Sequence, residues 1–523
     1  MLPKAFEEEM RGLLGRGYEN YLAAMEQPAV RGLHFNRRKG VPAVAEAAVR
    51  AALSGLSDLS YADDGCLWQG EERIGRMPLH HAGAFYMQEP SAMAPVCCLP
   101  DISGCRVLDL CAAPGGKSTQ LANRIGPDGL LVSNEIVGSR CAVLCGNIER
   151  MGLRCAAVTK AAPEQLAEVC RGFFDVTVVD APCSGEGMFR KDPAAVAEWK
   201  PESPAACARR QAAILAAAAG TLRPGGYLLY ATCTFSVCEN EGTIAEFLIA
   251  HPDFTLCEVP QAVAAVTAPG VQPPQGGLAH PEYCRRFYPH LAAGEGQFMA
   301  LLRRSGNAEG VPDGSGAPSF PSSRAADDLG RLSVPDAPRG AMSRADASRP
   351  LGASARGVSA ADRIDRRGKG GKRDGTDGKA AEAACVSAFL QTVLDPSFAA
   401  SLPAPVPVGG GWSLPPLSPA VLPAEILPLC YAYGVRIGEV RKGRVIPHHH
   451  FFTAYGDIMK TKWPLDGQPP LLSAYFAGEE MPCDLPDGWA AVTLCDLTVG
   501  GVRIAGGRAK NLYPAGLRGE VDL

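Results

Sequence analysis

Between residues 106 and 233, short apolar runs alternate with longer amphipathic segments, and this alternation constrains the fold more than any other feature of the chain. The runs are partly β-branched, are bounded by Gly, Pro or Asp, and read RVLDL (106–110), LLVSNE (130–135), DVTVVDA (175–181) and GYLLYATC (226–233). Strands that alternate with helices in this way form parallel βαβ units, with helices covering both faces of the sheet. The sequence therefore predicts an α/β core.

The regions on either side of this core differ from it in composition. In residues 1–100 apolar residues recur at helical spacing, which predicts a largely helical region. Residues 305–379 are rich in Gly, Ser, Pro, Asp and Arg and cannot bury enough apolar surface to offset the entropy of ordering, so they are predicted to be a disordered linker. Residues 380–523 show valine-rich alternation broken by glycines, which predicts a small β-rich domain. The central unit is thus residues 101–304.

Composition excludes several classes of protein. No apolar run approaches the roughly 20 residues that span a bilayer, and the first residues lack the pattern of a secretory signal. We therefore expect a cytoplasmic protein with no membrane partner. The net charge is −4, so any surface that binds nucleic acid must come from local basic patches.

The cysteines and histidines give no metal signature. The chain has 19 cysteines but no Cys-x-x-Cys pair, and in the cytosol most of these thiols are expected to be reduced, small, buried side chains. Three consecutive histidines, His448 to His450, would point to alternate sides of an extended chain and could not converge on one ion. No metal is expected, and a functional cysteine must be argued from its neighbours.

The C-terminal region carries basic residues interleaved with aromatic ones. Both a solvated surface and a face that contacts RNA explain this pattern. The residues are Arg436, Arg441, Lys442, Arg444, Arg503, Arg508, Lys510 and Arg518, with Tyr431, Tyr433 and Tyr513.

A loop of small residues follows the first strand of the core. Ligands of open α/β sheets bind at the carboxyl ends of strands, where small residues let backbone N–H groups approach them. The loop matches neither the Walker pattern nor Gly-x-Gly-x-x-Gly. Glu135 ends the next strand, where an acid can accept hydrogen bonds from ribose hydroxyls. Loop and acid together favour a nucleoside-containing cofactor, S-adenosylmethionine (SAM) rather than NAD. The loop residues are Cys111, Ala112, Ala113, Pro114, Gly115, Gly116 and Lys117.

Two cysteines follow the next two strands of the predicted sheet. Asp180 and Cys183 lie in DAPCSGEGMFRKDP, and Cys233 lies in YATCTF. A thiolate is well suited to add to C6 of cytosine, which makes C5 nucleophilic, and an acid at N3 such as Asp180 can stabilise the charge that develops on the ring. A second cysteine can assist the release of the product. The pattern indicates methylation of cytosine at C5.

Three segments resemble the motifs of a known family in the correct order: DLCAAPGGKSTQLA, DAPCSGEGMFRKDP and YATCTFSVCENE. They are similar to those of the Sun-type RNA cytosine-5 methyltransferases, whose bacterial branch is the RsmB/RsmF group. KNLYPAGLR (510–518) resembles the end of the PUA-like C-terminal domain of the RsmF type. The resemblance implies a Rossmann-like class I SAM-dependent methyltransferase core, a helical RNA-binding region at the N-terminus and a PUA-like RNA-binding domain at the C-terminus.

The resemblance also implies a role for each site residue. Cys233 falls on the nucleophile and Cys183 on the cysteine that assists release; DNA cytosine-5 methylases attack from a Pro-Cys motif instead, which keeps Cys183 as the rival nucleophile. Glu135 falls on the residue that holds the ribose, and Asp180 lies near the methyl group and the base. The cofactor loop of the family falls on Cys111 to Lys117.

Two positions depart from the pattern of the family. Ala161 and Ala162 stand where an Asp or Asn near the adenine might stand, and His34 stands where an arginine of the N-terminal region is expected. The interpretation is an enzyme that forms 5-methylcytosine in RNA, with small-subunit (16S) ribosomal RNA or the small ribosomal subunit as its partner. The sequence does not fix the oligomeric state, and a monomer is expected. The alternatives are a tRNA cytosine-5 methyltransferase, an RNA-binding ribosome assembly factor without turnover, and a small-molecule methyltransferase.

Overall fold

The structure is a computed structural model that describes residues 2–306 and 375–522. Most of the predicted linker, residues 307–374, lies outside the described residues. The last residues of the predicted linker are helical, because a helix begins at Gly375. In the parts of the chain that the structure covers, no helix is long and apolar enough to cross a bilayer.

The N-terminal region contains the predicted helices and also a sheet that the sequence did not predict. Four short strands form an antiparallel sheet in the order β2-β3-β1-β4. One of these strands has the sequence ADDGCLW, whose aspartates and glycine disfavour a strand, so cross-strand pairing overrides local propensity here. The prediction of a largely helical region was therefore incomplete. The elements are α1 (Lys4–Leu14), α2 (Tyr18–Met25), β1 (Arg31–Phe35), α3 (Pro42–Ala52), β2 (Leu56–Leu59), β3 (Ala62–Trp68), α4 (Pro78–His81), β4 (Phe85–Met87) and α5 (Pro90–Cys97).

The core is the predicted α/β unit, and all four predicted strands are present. Its helices and strands are β5 (Arg106–Asp109), α6 (Gly116–Ile125), β6 (Leu130–Asn134), α7 (Gly138–Arg150), β7 (Ala156–Thr159), α8 (Pro163–Val169), β8 (Phe174–Asp180), α9 (Pro193–Glu198), α10 (Ser203–Thr221), β9 (Leu222–Thr232), α11 (Thr243–Ala250), β10 (Phe254–Cys257), α12 (Gln261–Ala264), β11 (Ala268–Pro269), β12 (Arg285–Phe287) and β13 (Gln297–Arg304).

The central sheet has the order β11-β12-β13-β9-β8-β5-β6-β7, and β10 pairs with β13. Strands β7, β6, β5, β8 and β9 are parallel, whereas β13 runs antiparallel to β9. Buried side chains from the sheet and its helices form one apolar cluster on each face. This confirms the predicted Rossmann-like α/β core and places the carboxyl ends of the parallel strands along one edge.

The C-terminal region is β-rich, as predicted, and forms two further sheets in the orders β14-β15-β17-β18 and β19-β21-β22-β23-β20. Its elements are α13 (Gly375–Val393), α14 (Pro396–Ser401), β14 (Val406–Val408), β15 (Gly411–Leu414), β16 (Cys430–Tyr433), β17 (Val435–Arg441), β18 (Arg444–Pro447), α15 (His449–Tyr455), β19 (Lys462–Pro464), α16 (Pro469–Ala477), β20 (Met481–Pro482), β21 (Gly488–Leu494), β22 (Leu497–Ala505) and β23 (Arg508–Asn511).

The C-terminal region packs on the rest of the chain. Strand β16 pairs antiparallel with β7 and so extends the central sheet by one strand. A third apolar cluster joins side chains of the N-terminal region, such as Leu33 and Phe85, with C-terminal side chains such as Tyr475 and Tyr513. The C-terminal sheets therefore pack against both the core and the N-terminal region. The composition of the predicted linker gave no indication of this packing.

Candidate active site

The two predicted cysteines meet at one edge of the central sheet. Strand β8 ends at Asp180 and β9 ends at Thr232; the two strands are parallel neighbours, with Asp180 opposite Ala231. Cys183 and Cys233 follow these ends, and their Sγ atoms lie 3.4 Å apart. Parallel strands therefore bring together two thiols that are 50 residues apart in the sequence.

A network of buried hydrogen bonds ties the two cysteine loops to each other. The backbone N–H of Ser184 donates to Glu239 Oε2 at 3.0 Å, and Gln211 Nε2 donates to the same oxygen at 2.8 Å. The hydroxyl groups of Ser184 and Thr234, each next to one of the two cysteines, lie 2.8 Å apart. Glu239 is fully buried at the start of a π-helical turn, Cys238–Gly242. It therefore holds the loop of Cys183 against the loop of Cys233.

A second buried acid links the same loops from the other side. Glu186 accepts a hydrogen bond from the backbone N–H of Phe235 at 3.0 Å, and the N–H of Gly187 donates to the carbonyl of Cys233 at 2.8 Å. Burial raises the pKa of Glu186 to about 7. Sequence reasoning missed both Glu186 and Glu239, because an isolated acid in a polar loop looks like a surface residue. Their only signal is that each lies a few residues after the cysteine, inside the motif DAPCSGEGMFRKDP or YATCTFSVCENE.

Asp180 and Lys117 form an ion pair at the same edge, although the sequence predicted them for different strand ends. Lys117 Nζ lies 2.8 Å from Asp180 Oδ2, and Gln297 Nε2 lies 3.4 Å from Asp180 Oδ1. Burial by itself would lower the pKa of Lys117, but the charge of Asp180 raises it above its usual value. The lysine therefore stays charged in a place where it is only 7% exposed.

The two thiols differ in their surroundings. The adjacent Cys233 sulfur and burial hold the pKa of Cys183 well above its usual range. The two Sγ atoms lie within hydrogen-bond distance, so one thiol can donate to the other sulfur.

The loop Cys111–Lys117 forms a tight turn between β5 and α6. Gly115 has a φ of 116°, which strongly favours glycine, and a Cβ there would lie 3.2 Å from Leu144. Among residues 2–306 and 375–522, no side chain caps the N-terminus of α6, so its first N–H groups remain open to a ligand. Ala112 and Ala113 are buried in the turn, and Asn147 Nδ2 donates to the carbonyl of Pro114 at 2.9 Å.

Two acids lie beside this loop, and one of them was not predicted. Glu135 is 4% exposed; its carboxylate accepts from the N–H of Val137 at 2.8 Å and lies 3.3 Å from Arg140. Asp109 at the end of β5 is fully buried; one of its oxygens accepts from Ser118 Oγ at 2.6 Å, whereas Oδ1 finds no partner within the described part of the chain. A buried oxygen without a partner is rare and indicates a donor that binds there.

Two residues that depart from the pattern of the family lie away from solvent. His34 is fully buried, with Nε2 3.1 Å from Thr119 Oγ1 and its ring stacked on Tyr86, and burial lowers its pKa to about 3. It is therefore a core residue and cannot contact RNA from this position. Ala161 is buried, and its N–H donates to Asn134 Oδ1 at 3.1 Å, so it offers no side-chain group to a cofactor.

The structure separates the predicted basic and aromatic residues of the C-terminal region. The basic side chains are exposed apart from that of Arg436, which is half-buried, but Tyr433 and Tyr513 are core residues and only Tyr431 is exposed. The three histidines start helix α15 rather than lie on an extended chain. Within the described ranges, no cluster of three or more His, Cys, Asp or Glu side chains is placed to hold a metal ion.

Comparison with known proteins agrees with this geometry. Residues 97–303 match the family model described as 16S rRNA methyltransferase RsmB/F. Residues 2–90 match the N-terminal domain of 16S rRNA methyltransferase RsmF, and residues 470–519 match the methyltransferase RsmF PUA domain. These matches show a likeness to the family and to two of its domains.

Individual relatives cover only part of the chain. The "Ribosomal RNA small subunit methyltransferase F" of Escherichia coli O139:H28 is 33% identical over 321 residues, which are 59% of this chain and 65% of the relative. The protein of the same name from Pectobacterium atrosepticum is 33% identical, over 60% of this chain and 64% of the relative. The match thus spans just under two thirds of the length of these relatives. The structure of a methyltransferase homolog protein from Pyrococcus horikoshii is 26% identical with a TM-score of 0.51, over 58% of this chain and 95% of that one.

The parallel sheet, the glycine turn and the strand-end acid are features of Rossmann-like, SAM-dependent methyltransferases. Within that class, the chain resembles the RsmB/F family in three segments, residues 2–90, 97–303 and 470–519.

The residues present fit the cofactor of this family. The turn at Gly115 leaves backbone N–H groups open, Glu135 lies at the strand end where ribose hydroxyls would donate, and Asp109 Oδ1 lacks a donor. Ile136, directly after Glu135, is 58% exposed and offers an apolar surface of the kind that a nucleoside base covers.

Proposed function

We propose that this protein methylates C5 of a cytosine in small-subunit ribosomal RNA, with Cys233 as nucleophile and Cys183 as the residue that assists release. The observation that carries the proposal is the 3.4 Å separation of the two Sγ atoms beside the Lys117–Asp180 ion pair. A methyltransferase that acted on nitrogen or oxygen would need no pair of thiols. DNA-type chemistry, with Cys183 as nucleophile, is the alternative that the adducts formed by the Cys183→Ala and Cys233→Ala variants separate.

In the first step, the anionic Cys233 sulfur adds to C6 of the cytosine and forms an S–C6 bond. The electron pair of the C5=C6 bond moves into the ring, and C5 becomes nucleophilic. In this proposal Cys183 carries the proton and donates a hydrogen bond to the Cys233 sulfur, 3.4 Å away, before the attack. Asp180 lies on the strand end where it can meet N3 of the ring, and Lys117 Nζ, 2.8 Å from its Oδ2, is the source of the proton that Asp180 passes to N3 as charge develops on the ring. This proton returns to Asp180 and Lys117 once the methyl group is on C5.

Bound SAM supplies the methyl group for C5. In the release step the C5 proton leaves, the C5=C6 bond re-forms and the S–C6 bond breaks. Cys183 passes its proton to the departing Cys233 sulfur and takes up the proton from C5, so it ends the step as a thiol. Ser184, Glu239 and Gln211 hold the Cys183 loop in place while this happens.

The RNA substrate follows from chemistry and from the domains around the core. A cytosine in a helix must be splayed out before its C6 can meet a thiol at the edge of the sheet. The PUA match and the exposed basic residues of the C-terminal region favour RNA as the polymer that presents this base. We also propose a cytoplasmic location and a division of labour in which residues 1–100 and 380–523 bind RNA around the catalytic core of residues 101–304.

The test is methyl transfer in vitro. The purified full chain is incubated with SAM carrying an isotope-labelled methyl group and with small ribosomal subunits, naked 16S rRNA or tRNA, and the RNA is digested to nucleosides for mass spectrometry. Labelled 5-methylcytidine from the subunit or from 16S rRNA is expected. Label in another nucleoside, or in tRNA alone, would overturn the assignment.

A further inference from the structure

A second cavity lies away from the thiols, at the seam between helix α7 and the C-terminal strands. It has a volume of about 260 Å³. Its polar lining comes from both sides of the seam: Cys145, Glu149, Ser413, Tyr431, Arg436 and His450. The family models leave residues 91–96 and 304–469 unmatched, so the C-terminal half of this lining lies outside every matched domain.

Helix α7 separates this cavity from the cofactor loop. Leu144 and Asn147 face the turn at Pro114 and Gly115, whereas Cys145 and Glu149 lie on the opposite side of the helix and line the cavity. Tyr431 lies on β16, which is four strands away from β8, or about 19 Å at ~4.8 Å per strand. The cavity is thus a separate site that flanks the same sheet.

The cavity contains polar groups that the fold leaves unused. His450 is 2% exposed; its Nδ1 accepts from the backbone N–H of Arg436 at 3.3 Å, so Nε2 carries the hydrogen, and Nε2 has no acceptor in the part of the chain that the structure describes. Arg436 Nε likewise lacks an acceptor there. Among the described residues, the Glu149 carboxyl group accepts from the Cys145 thiol at 3.7 Å, and its Oε1 lies 4.0 Å from His450 Nδ1. Two residues with an unpartnered donor and one carboxyl group therefore line the same cavity.

The charges in the cavity select a neutral ligand. Burial raises the pKa of Glu149 to about 7; once ionised, its carboxylate opposes an anion, and the Arg436 guanidinium group opposes a cation. The ligand must therefore offer N–H groups to Glu149 and a carbonyl oxygen to the donors. The volume is slightly below the roughly 300 Å³ at which pockets for drug-sized molecules begin, which suits a single heterocycle. Tyr431, 46% exposed, offers a ring on which a base can stack.

We propose that this cavity binds an unpaired guanine of the substrate RNA. The proposal rests on the proposed function in taking RNA as the substrate, and it adds a second base as a recognition element. The N1–H and N2–H groups of guanine donate to the two oxygens of Glu149, and O6 accepts from His450 or Arg436. Among the four bases, only guanine has a ring N–H (N1) flanked by an amino group (N2) on one side and a carbonyl oxygen (O6) on the other.

Direct binding tests the cavity without methylation. The full chain, saturated with S-adenosylhomocysteine to fill the nucleoside site, is titrated with GMP, AMP, CMP and UMP in a calorimeter. GMP is expected to bind about tenfold more tightly than the other nucleotides, and Glu149→Gln should remove this preference. Glu164→Gln, an exposed acid elsewhere, is the matched control and should retain it. Equal binding of all four nucleotides, or none at all, would mean that the cavity holds only water.

RNA kinetics test whether the cavity serves the reaction. Glu149→Gln and Tyr431→Ala should each raise the KM for RNA about tenfold and leave kcat unchanged, because they remove contacts away from the thiols. Tyr431 is exposed, so its variant should melt at the temperature of the wild type even if Glu149→Gln does not. If the wild-type protein methylates RNA and the variants have an unchanged KM, the guanine site is contradicted and the proposed function is not. A wild-type protein without methylation contradicts the proposed function, and the GMP titration still decides the site.

Discussion

Cys111 and Cys233 each follow a strand of the same parallel sheet, yet their surroundings give them different chemistry. Burial raises the pKa of the Cys111 thiol, and the carboxyl groups of Asp109, Asp180 and Glu135 add to this effect. Cys233 instead lies 3.4 Å from the Cys183 thiol, and its charge is one of those that raise the pKa of the Lys117 ammonium group. Both residues are positioned by the edge of the sheet, but only Cys233 has a second thiol beside it.

Removing the nucleophile should have the largest effect on methyl transfer. A small effect would contradict the contrast between Cys111 and Cys233. Cys233→Ala should lower methyl transfer by about 10³-fold or more, because no other side chain can form the bond to C6. Calorimetric binding of SAM should stay unchanged, since Cys233 is not part of the cofactor loop. Cys111→Ala is the control on the cofactor side and should retain most of the turnover. Equal losses of methyl transfer in both variants would show that Cys111 and Cys233 do not differ in their contribution to the reaction.

Removing the second thiol should stop the reaction after the bond has formed. Cys183→Ala should lower turnover about 100-fold and accumulate a protein–RNA adduct, because the C5 proton and the Cys233 sulfur leave slowly. A denaturing gel with labelled RNA should show a shifted band, and the double variant Cys183→Ala with Cys233→Ala should not. An adduct in Cys233→Ala instead would reverse the roles of the two cysteines.

A change on the cofactor side should affect affinity rather than chemistry. Glu135→Gln should weaken SAM binding about tenfold, because a neutral amide accepts hydrogen bonds from the ribose less strongly than a carboxylate. At saturating SAM, single-turnover methylation should proceed at the wild-type rate. Glu164→Gln serves as the exposed control. A fall in the single-turnover rate would mean that Glu135 also serves the catalytic side.

The smallest effect is expected from the buried acid beside the cofactor loop. Burial raises the pKa of Asp109 from 3.8 to about 7, so the folded chain holds a proton that the unfolded chain has released between these values. The free energy of unfolding should therefore fall as the pH rises from 4 to 7, and Asp109→Asn should flatten that slope. Urea midpoints of the cofactor-free protein at the two ends of this range measure it, with exposed Asp128→Asn as control. An unaltered slope in Asp109→Asn would assign it to other groups.

The sequence predicted the core well because its signals are local. RVLDL and DVTVVDA are apolar runs with clear boundaries, and both became parallel strands of the central sheet. The N-terminal strands were missed because ADDGCLW pairs with its neighbours in spite of its polar residues, and such pairing leaves no local signal. His34 stands in the sequence where an arginine of the N-terminal region is expected, and the fold buries it against Thr119 and Tyr86.

The candidate site also combines features that the sequence predicts with features that only the tertiary structure shows. The sequence alone determined which residue types end the strands: the cysteines, Asp180, Glu135 and the glycine turn, because parallel strands place their carboxyl ends together whatever the details of packing. Only the tertiary structure decided the partners of these residues, such as Lys117 for Asp180 and Glu239 for the Cys183 loop. It alone also placed Arg436 and His450 across from Glu149. Such pairings join residues far apart in the chain, and their geometry depends on packing that no short stretch of sequence encodes.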